Sequence, residues 1–418
     1  MLAAVPGLPR PVVLLEDGAG QSGKARLAWG ARRRLRLEWS GERIGDAAWL
    51  RALDGERRAY GVIAYDLGLP PHARRSDPPV PQPLVDFFEP EHEVVVDLEA
   101  DARTGEQTDL GTRPHHPNTS TLLSRSFTQA GFESAVRRIK DYIAAGDVYQ
   151  VNLALAERFR VTLSPWEVYL RLREINPSPW MGFADFGDWQ VVSGSPELLV
   201  EARWDGGTEG RRVVRARPIA GTRKKTGNAA RDAVMRSELC LDEKEQAEHR
   251  MLLDLARNDV GRVAQYGTVE VSEREVIEEY SHLFHLVSEV RGVLQTDCSA
   301  GDVIAALFPG GTITGAPKIS AMEVIAELEP VARGMYTGAL GWVGGGELQL
   351  NIMIRSAVLR DGIGCVQAGA GIVWDSDPER EWRESLRKGA AVRAALGLAD
   401  PARSPRDPDG VSGLEVRG

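Results

Sequence analysis

The stretch Gly369-Ala-Gly-Ile-Val-Trp-Asp-Ser-Asp-Pro-Glu-Arg-Glu-Trp-Arg-Glu-Ser-Leu-Arg-Lys388 decides how the rest of the chain is read. It runs from a glycine-rich strand end through a short acidic turn into a helix. Asp377 suits the N-cap of that helix, and Pro378 suits its first turn, where a missing N–H costs nothing. Glu381, Glu384 and Lys388 then recur at i, i+3 and i+7, on one helical face. Two carboxylates and an ammonium on one stripe can hold a divalent cation beside an anion. They can equally form a solvated charged face, and spacing by itself leaves both open.

The 418 residues suffice for one large domain or two ordinary ones. Apolar content of 43% and charged content of 27% are those of a globular chain. A formal net charge of -9 argues against a general nucleic-acid binder, because no broad basic patch survives that balance. Cys240, Cys298 and Cys365 lie far apart without a Cys-x-x-Cys pair, so neither a disulfide framework nor a zinc site is expected. That pattern fits a reducing cytoplasm. The opening residues lack a basic leader before an apolar run, so no signal peptide is expected. No run of about 18 apolar residues is present to span a bilayer, which leaves no membrane partner to expect.

Residues 1–120 read as a smaller N-terminal portion ending in a linker, 121–398 as the main body, and 399–418 as a disordered tail. The proline-rich piece Arg75–Pro83 is a loop that no regular element can cross. His115 and His116 fall in the linker, where a solvated pair is the simpler reading.

The body opens with a helix in which Phe132, Val136, Ile139, Tyr142 and Ile143 share a face and Gly146 suits the C-terminal cap. Asp147–Ala156 then alternates as a strand, with Gln150, Asn152 and Ala154 on the face opposite Val151 and Leu153. Such a face is either half exposed or part of a site. Glu197 stands among Leu198, Leu199 and Val200; buried there, its carboxyl would be desolvated and raised, as a general acid requires. An edge-strand glutamate facing water fits the same pattern. A long helix starts near Asp242, with Glu245 three residues on, and Glu248 shares its face with Leu252 and Leu255. An acid on an apolar face wants a cation or a base. His285 lies in an apolar stretch, as a core histidine or a site residue. Phe308–Lys318 is glycine-rich, carries Gly315 and leads into a helix, a setting for binding carboxylates through backbone N–H groups. It is not a P-loop, since Ala316 stands where the lysine must follow. Leu348–Arg355 alternates, which places Arg355 on the inner face of a strand as a carboxylate clamp. Alternating strands with inserted helices indicate an α+β fold with largely antiparallel sheets.

These motifs, in this order, resemble the chorismate-binding enzymes. They are Gly146–Leu153, Ser195-Pro-Glu197, Arg217–Thr222, Ala247-Glu248 with Arg257–Arg262, His285–Ser288, Gly311–Lys318, Tyr336-x-Gly-Ala, Ile354-Arg355 and Gly371–Lys388. The resemblance covers roughly residues 125–398. It implies an α/β sandwich of antiparallel sheets with helices outside, the fold of anthranilate synthase component I, with the site in the cleft. It implies Glu197, Gln150 and His285 as catalytic residues, with Glu197 as the general acid. Thr222, Gly315, Tyr336, Arg355, Gly371 and Lys388 would bind chorismate, and Glu248, Glu381 and Glu384 would hold Mg2+. Water-adding members carry a lysine base at the position of Gln150, so an ammonia user is expected, fed by a separate glutamine amidotransferase subunit. Tyr149-Gln-Val-Asn-Leu-Ala and Leu350-Asn-Ile are most like the aminodeoxychorismate synthases, which aminate at C4. Ala220 in Pro218-Ile-Ala-Gly-Thr222 is instead the anthranilate synthase pattern, with amination at C2. In Leu14-Leu-Glu-Asp17, Asp17 replaces the serine of the tryptophan-sensing motif.

Overall fold

The computed structural model describes residues 2–17, 23–38, 53, 55–73, 77–97, 120–206, 210–279 and 283–398. The His115-His116 linker and the tail from 399 onward lie outside the described residues. In chain order the strands are β1 (Val12–Asp17), β2 (Lys24–Leu37), β3 (Ala59–Ile63), β4 (Val85–Asp97), β5 (Ser120–Arg125), β6 (Gln150–Val161), β7 (Trp180–Asp185), β8 (Gln190–Ser195) and β9 (Leu198–Trp204). There follow β10 (Arg212–Ala216), β11 (Ile219–Lys224), β12 (Glu270–Glu279), β13 (Leu283–Val293), β14 (Gly315–Ala316), β15 (Ala339–Gly344), β16 (Glu347–Ile352), β17 (Ser356–Arg360) and β18 (Ile363–Ile372). The helices are α1 (Gln129–Ala145), α2 (Pro165–Ile175), α3 (Ala229–Leu241), α4 (Glu243–Gly261), α5 (Ala300–Leu307), α6 (Lys318–Leu328), α7 (Pro378–Lys388) and α8 (Ala390–Ala395).

All pairings between these strands are antiparallel. One run of neighbours is β2–β1–β7–β8–β17–β18–β6, and the other is β3–β15–β16–β9–β10–β13. β4 pairs with both β2 and β3 and so joins the two runs. Val13 and Ala184 of the first run pack in one buried cluster with Tyr60, Val62, Leu340 and Trp342 of the second. The runs therefore lie face to face as a sandwich. Helices cover the outer faces. Tyr169 and Leu172 of α2 and Val392 of α8 bury Phe159, Phe183 and Val192 of the first run, while α4 lies on β11 and β13 of the second. The expected α+β fold is the one observed.

The N-terminal strands are woven into this frame: β1 sits between β2 and β7, and β3 pairs with β15. Local chemistry explains the best-read helices. Thr128 caps α1 by accepting from Gly131 N–H, and Gly146 closes it at φ 84°. The Asp377 side chain accepts from Arg380 N–H at the start of α7, with Pro378 in the first turn. Trp382 of α7 then packs against Phe132 of α1, 5.4 Å between rings.

Three expectations need correction. The half-exposed reading of Gln150–Ala156 fails, because both faces of β6 are buried from Gln150 to Ala156. Leu348–Arg355 is not one strand: β16 ends at Ile352, and Arg355 adopts a left-handed φ of 51° before β17 begins. Glu197 lies ahead of β9 rather than within it. The last two share a cause. β8 belongs to one run and β9 to the other, and likewise β16 and β17, so Ser195–Glu197 and Met353–Arg355 are where the chain crosses between sheets. A continuous strand cannot make that crossing.

Candidate active site

The two crossings are bonded to each other. Ile352 N–H donates to the Glu197 carbonyl, and Gly194 N–H donates to the Arg355 carbonyl, each at 3.1 Å. This holds the Glu197 carboxyl beside the Arg355 guanidinium inside the sandwich. Glu197 is only 5% exposed. Burial pushes its carboxyl up to about 7, against the Thr312 hydroxyl, the Ile219 backbone N–H and Arg355, all of which favour the anion. Thr312 Oγ1 donates to Glu197 Oε1 at 2.8 Å. The carboxyl thus shares its proton near neutrality, as a general acid requires.

His285 is buried on β13. Burial, then the positive charge of Arg355, lower it to about 4, although a hydrogen bond to the Gly221 backbone opposes this. It is a neutral imidazole at pH 7. Gly221 marks a register shift between Ala220 and Thr222 in β11 and has φ 74°. Thr222 pairs with His285 across β11 and β13; its side chain lies outside the described residues. Arg355 is itself lowered by burial, with Glu197 opposing.

A second grouping forms where β6, β14 and β18 begin or end together. Gln150 Nε2 donates to Glu248 Oε1 of α4 at 2.7 Å. Gln150 Oε1 is buried and finds no hydrogen-bond partner among the described residues. A Cβ on Gly371 would lie 2.5 Å from Gln150 Nε2 and 3.5 Å from Glu248 Oε1, so only glycine leaves the amide its place. Gly315 is constrained more severely: with φ 139°, its Cβ would lie 2.0 Å from the Gln150 carbonyl oxygen. The same short loop, Gly311–Ala316, therefore sends Thr312 to Glu197 and rests Gly315 on Gln150.

The helix α7 carries the acidic stripe as expected, with Glu381 and Glu384 half-buried. Lys388 Nζ meets Glu384 Oε1 of its own helix at 2.9 Å. Among the described residues, no three or more His, Cys, Asp or Glu side chains stand close enough to hold a metal ion. Glu248, Glu381 and Glu384 are thus not gathered into a finished ligand set, although their oxygen-only chemistry is that of a magnesium site. Tyr336 is buried with its ring against the Arg333 guanidinium, 5.7 Å away; burial raises its phenol. In the polar cluster of α4, Asp259 receives Lys318 Nζ at 2.6 Å, a structural tie between α4 and α6.

Sequence reasoning missed Thr312. It sits inside the glycine-rich segment, and a hydroxyl directly after the Gly310-Gly311 pair was the available signal.

Among the described residues, no helix is long and apolar enough to cross a membrane. The chain is 47% identical over 290 residues to aminodeoxychorismate synthase component 1 of Bacillus subtilis, covering 69% of this chain and 60% of that protein. It is 48% identical over 276 residues to anthranilate synthase component 1 of Pseudomonas aeruginosa, covering 66% of this chain and 55% of that one. The matches thus span little more than half the length of these relatives. The crystal structure of anthranilate synthase component I from Streptococcus pneumoniae superposes with a TM-score of 0.74 at 30% identity, over 89% of this chain and 92% of that chain. The family model for chorismate binding enzymes matches residues 15–394. The chain belongs to the chorismate-binding enzyme family.

Proposed function

We propose that the chain aminates chorismate at C4 with ammonia, giving 4-amino-4-deoxychorismate, and that a glutamine amidotransferase partner supplies the ammonia in the cytoplasm. The observation that carries this reading is the Glu197 carboxyl, buried, titrating near 7 and facing Arg355. Glu197 protonates the C4 hydroxyl, which leaves as water while ammonia takes its place. Arg355, buried beside Glu197 at a residue with φ 51°, offers its fork to a substrate carboxylate. Gln150 has no basic nitrogen to activate water. Its buried Oε1 supplies an acceptor for an N–H of the incoming ammonia.

Glu248, Glu381 and Glu384 would hold Mg2+, which takes one or two carboxylates alongside substrate oxygens and water. Bound there, the ion would screen the ring carboxylate and make the ring a better electrophile. Lys388 and the backbone at Gly371 and Gly315 would meet the substrate anion, with Thr222, Tyr336 and neutral His285 lining the pocket.

A second reading, amination at C2 with loss of pyruvate to give anthranilate, is favoured by one observation. Ala220 is buried at the β11 register shift and places no nucleophilic amine there. Incubation with chorismate, Mg2+ and ammonium chloride, followed by mass spectrometry, tests the choice. Aminodeoxychorismate is the expected product; anthranilate with pyruvate would overturn C4 amination in favour of C2.

A further inference from the structure

Nothing in the proposed chemistry uses Arg333 and Glu329, yet they form the most deeply buried ion pair beside the candidate site. Arg333 is 1% exposed and Glu329 4%. The guanidinium donates to Glu329, to the Gly311–Ala316 loop and to β6. Nε and Nη2 reach Glu329 at 2.7 to 3.2 Å, Nη1 reaches the Ile313 carbonyl at 2.8 Å, and Nη2 reaches the Asn152 carbonyl at 2.7 Å. Glu329 Oε1 also accepts the Ala154 N–H at 2.9 Å. The Tyr65 and Tyr336 rings lie against the guanidinium, 4.6 and 5.7 Å away.

Such a pair adds little stability over an apolar substitute, because two charges must leave water. What it fixes is geometry. Asn152 and Ala154 belong to β6, directly after Gln150. Ile313 follows Thr312, whose hydroxyl reaches Glu197. Asn152 N–H also donates to the Thr314 carbonyl at 2.8 Å, so strand and loop meet on both sides of the guanidinium.

We propose that the buried Arg333–Glu329 pair is a positioning device that locks the Gly311–Ala316 loop to β6, setting Thr312 against Glu197 and Gln150 beside Glu248 at once. It rests on the reading of Glu197 as the acid in the proposed function. Arg333 touches no reacting atom. It acts through the Ile313 and Asn152 carbonyls, two points that a lysine ammonium cannot serve together with Glu329.

The test is the titration of Glu197 in the free protein, read by infrared spectroscopy with 13C-labelled glutamate and assigned by subtracting Glu197→Gln. The groups facing Glu197 are Thr312 from the loop, the Ile219 N–H from β11 and Arg355 from the β16–β17 crossing, with His285 neutral behind Arg355. Thr312→Val removes the hydroxyl that favours the anion and is expected to raise the titration by about one pH unit. Arg333→Lys is expected to raise it at least half as far, with kcat falling more than tenfold while KM for chorismate changes less than threefold. Glu329→Gln carries the same test should Arg333→Lys fail to fold. A normal Glu197 titration in a folded Arg333→Lys or Glu329→Gln protein overturns the proposal, as does a Thr312→Val protein with no shift. The titration needs no turnover. A wild-type chain that fails to aminate chorismate would therefore refute the functional reading while leaving this result readable.

Discussion

Glu197 and Arg355 face each other from the two places where the chain passes between the sheets, and the carbonyl of each accepts a backbone N–H from the strand that leads into the other's crossing. The pair is thus held by the architecture itself rather than by a flexible loop. Its electrostatics yield the first prediction. A carboxyl whose folded value is raised, here from 4.5 to about 7, binds its proton more tightly in the folded state. Its contribution to stability is present in full below about 4.5 and is lost as pH rises through about 7. Glu197→Gln should therefore gain stability relative to the wild type on going from pH 5 to pH 8, by up to about 3 kcal/mol. Urea denaturation at the two pH values measures the gap. The same variant should lose roughly 10²–10⁴-fold in kcat if Glu197 is the acid.

Removing the positive charge should move two titrations in the same direction. Arg355 favours the anion of Glu197 and disfavours the imidazolium of His285. Arg355→Gln should therefore raise Glu197 above about 7 and His285 above about 4. NMR titration of the His285 ring checks the second shift directly. A His285 value unmoved by the substitution would show that burial alone sets it.

Two glycines should fail in different ways. Gly371→Ala pushes against the far end of a flexible side chain, so Gln150 swings off Glu248 and the fold survives. Turnover should fall about tenfold or more, with the melting temperature little changed. Gly315→Ala meets a backbone carbonyl and needs φ 139°, so it should destabilise by roughly 1–3 kcal/mol or more. Parallel melting and activity measurements separate the two.

The readings that succeeded on sequence alone were local. Asp377 and Pro378 announce α7, Gly146 announces the end of α1, and the apolar neighbours of Glu197 announce its desolvation. Failures came where distant segments decide. Nothing in Leu348–Arg355 marks the crossing, because a left-handed arginine carries no sequence signature as a glycine would. The amide face of β6 is buried by α4 and by the Gly311–Ala316 loop, both remote in sequence from β6. Glu329 and Arg333 have the spacing of an exposed helical pair, yet they lie past the end of α6 in the interior.

The proposed placing of Mg2+ on Glu248, Glu381 and Glu384 predicts metal dependence. Treatment with EDTA should abolish turnover, and added Mg2+ should restore it. Glu248→Gln should raise the Mg2+ needed for half-maximal activity by about tenfold or more. Restoration at an unchanged Mg2+ requirement would remove Glu248 from the ligand set.

Lys388 should be nearly silent in stability. Its pairing with Glu384 is partly exposed and within one helix, worth about 0.5 kcal/mol at most. Lys388→Met should leave the melting temperature unchanged within about 2 °C. If the ammonium leaves Glu384 for the substrate anion, KM for chorismate should rise tenfold or more.

The placement of β1 between β2 and β7, and of β3 beside β15, sets an order on the protein's birth. A ribosome releases β1 long before β7 and β3 long before β15, so the earliest strands wait with one edge unsatisfied. Contacts this far apart in sequence make for slow folding. Glu197 obtains its facing cation only once Arg355 has been translated, and Gln150 obtains its neighbour Gly371 later still. A truncated translation product therefore carries strands but no working centre.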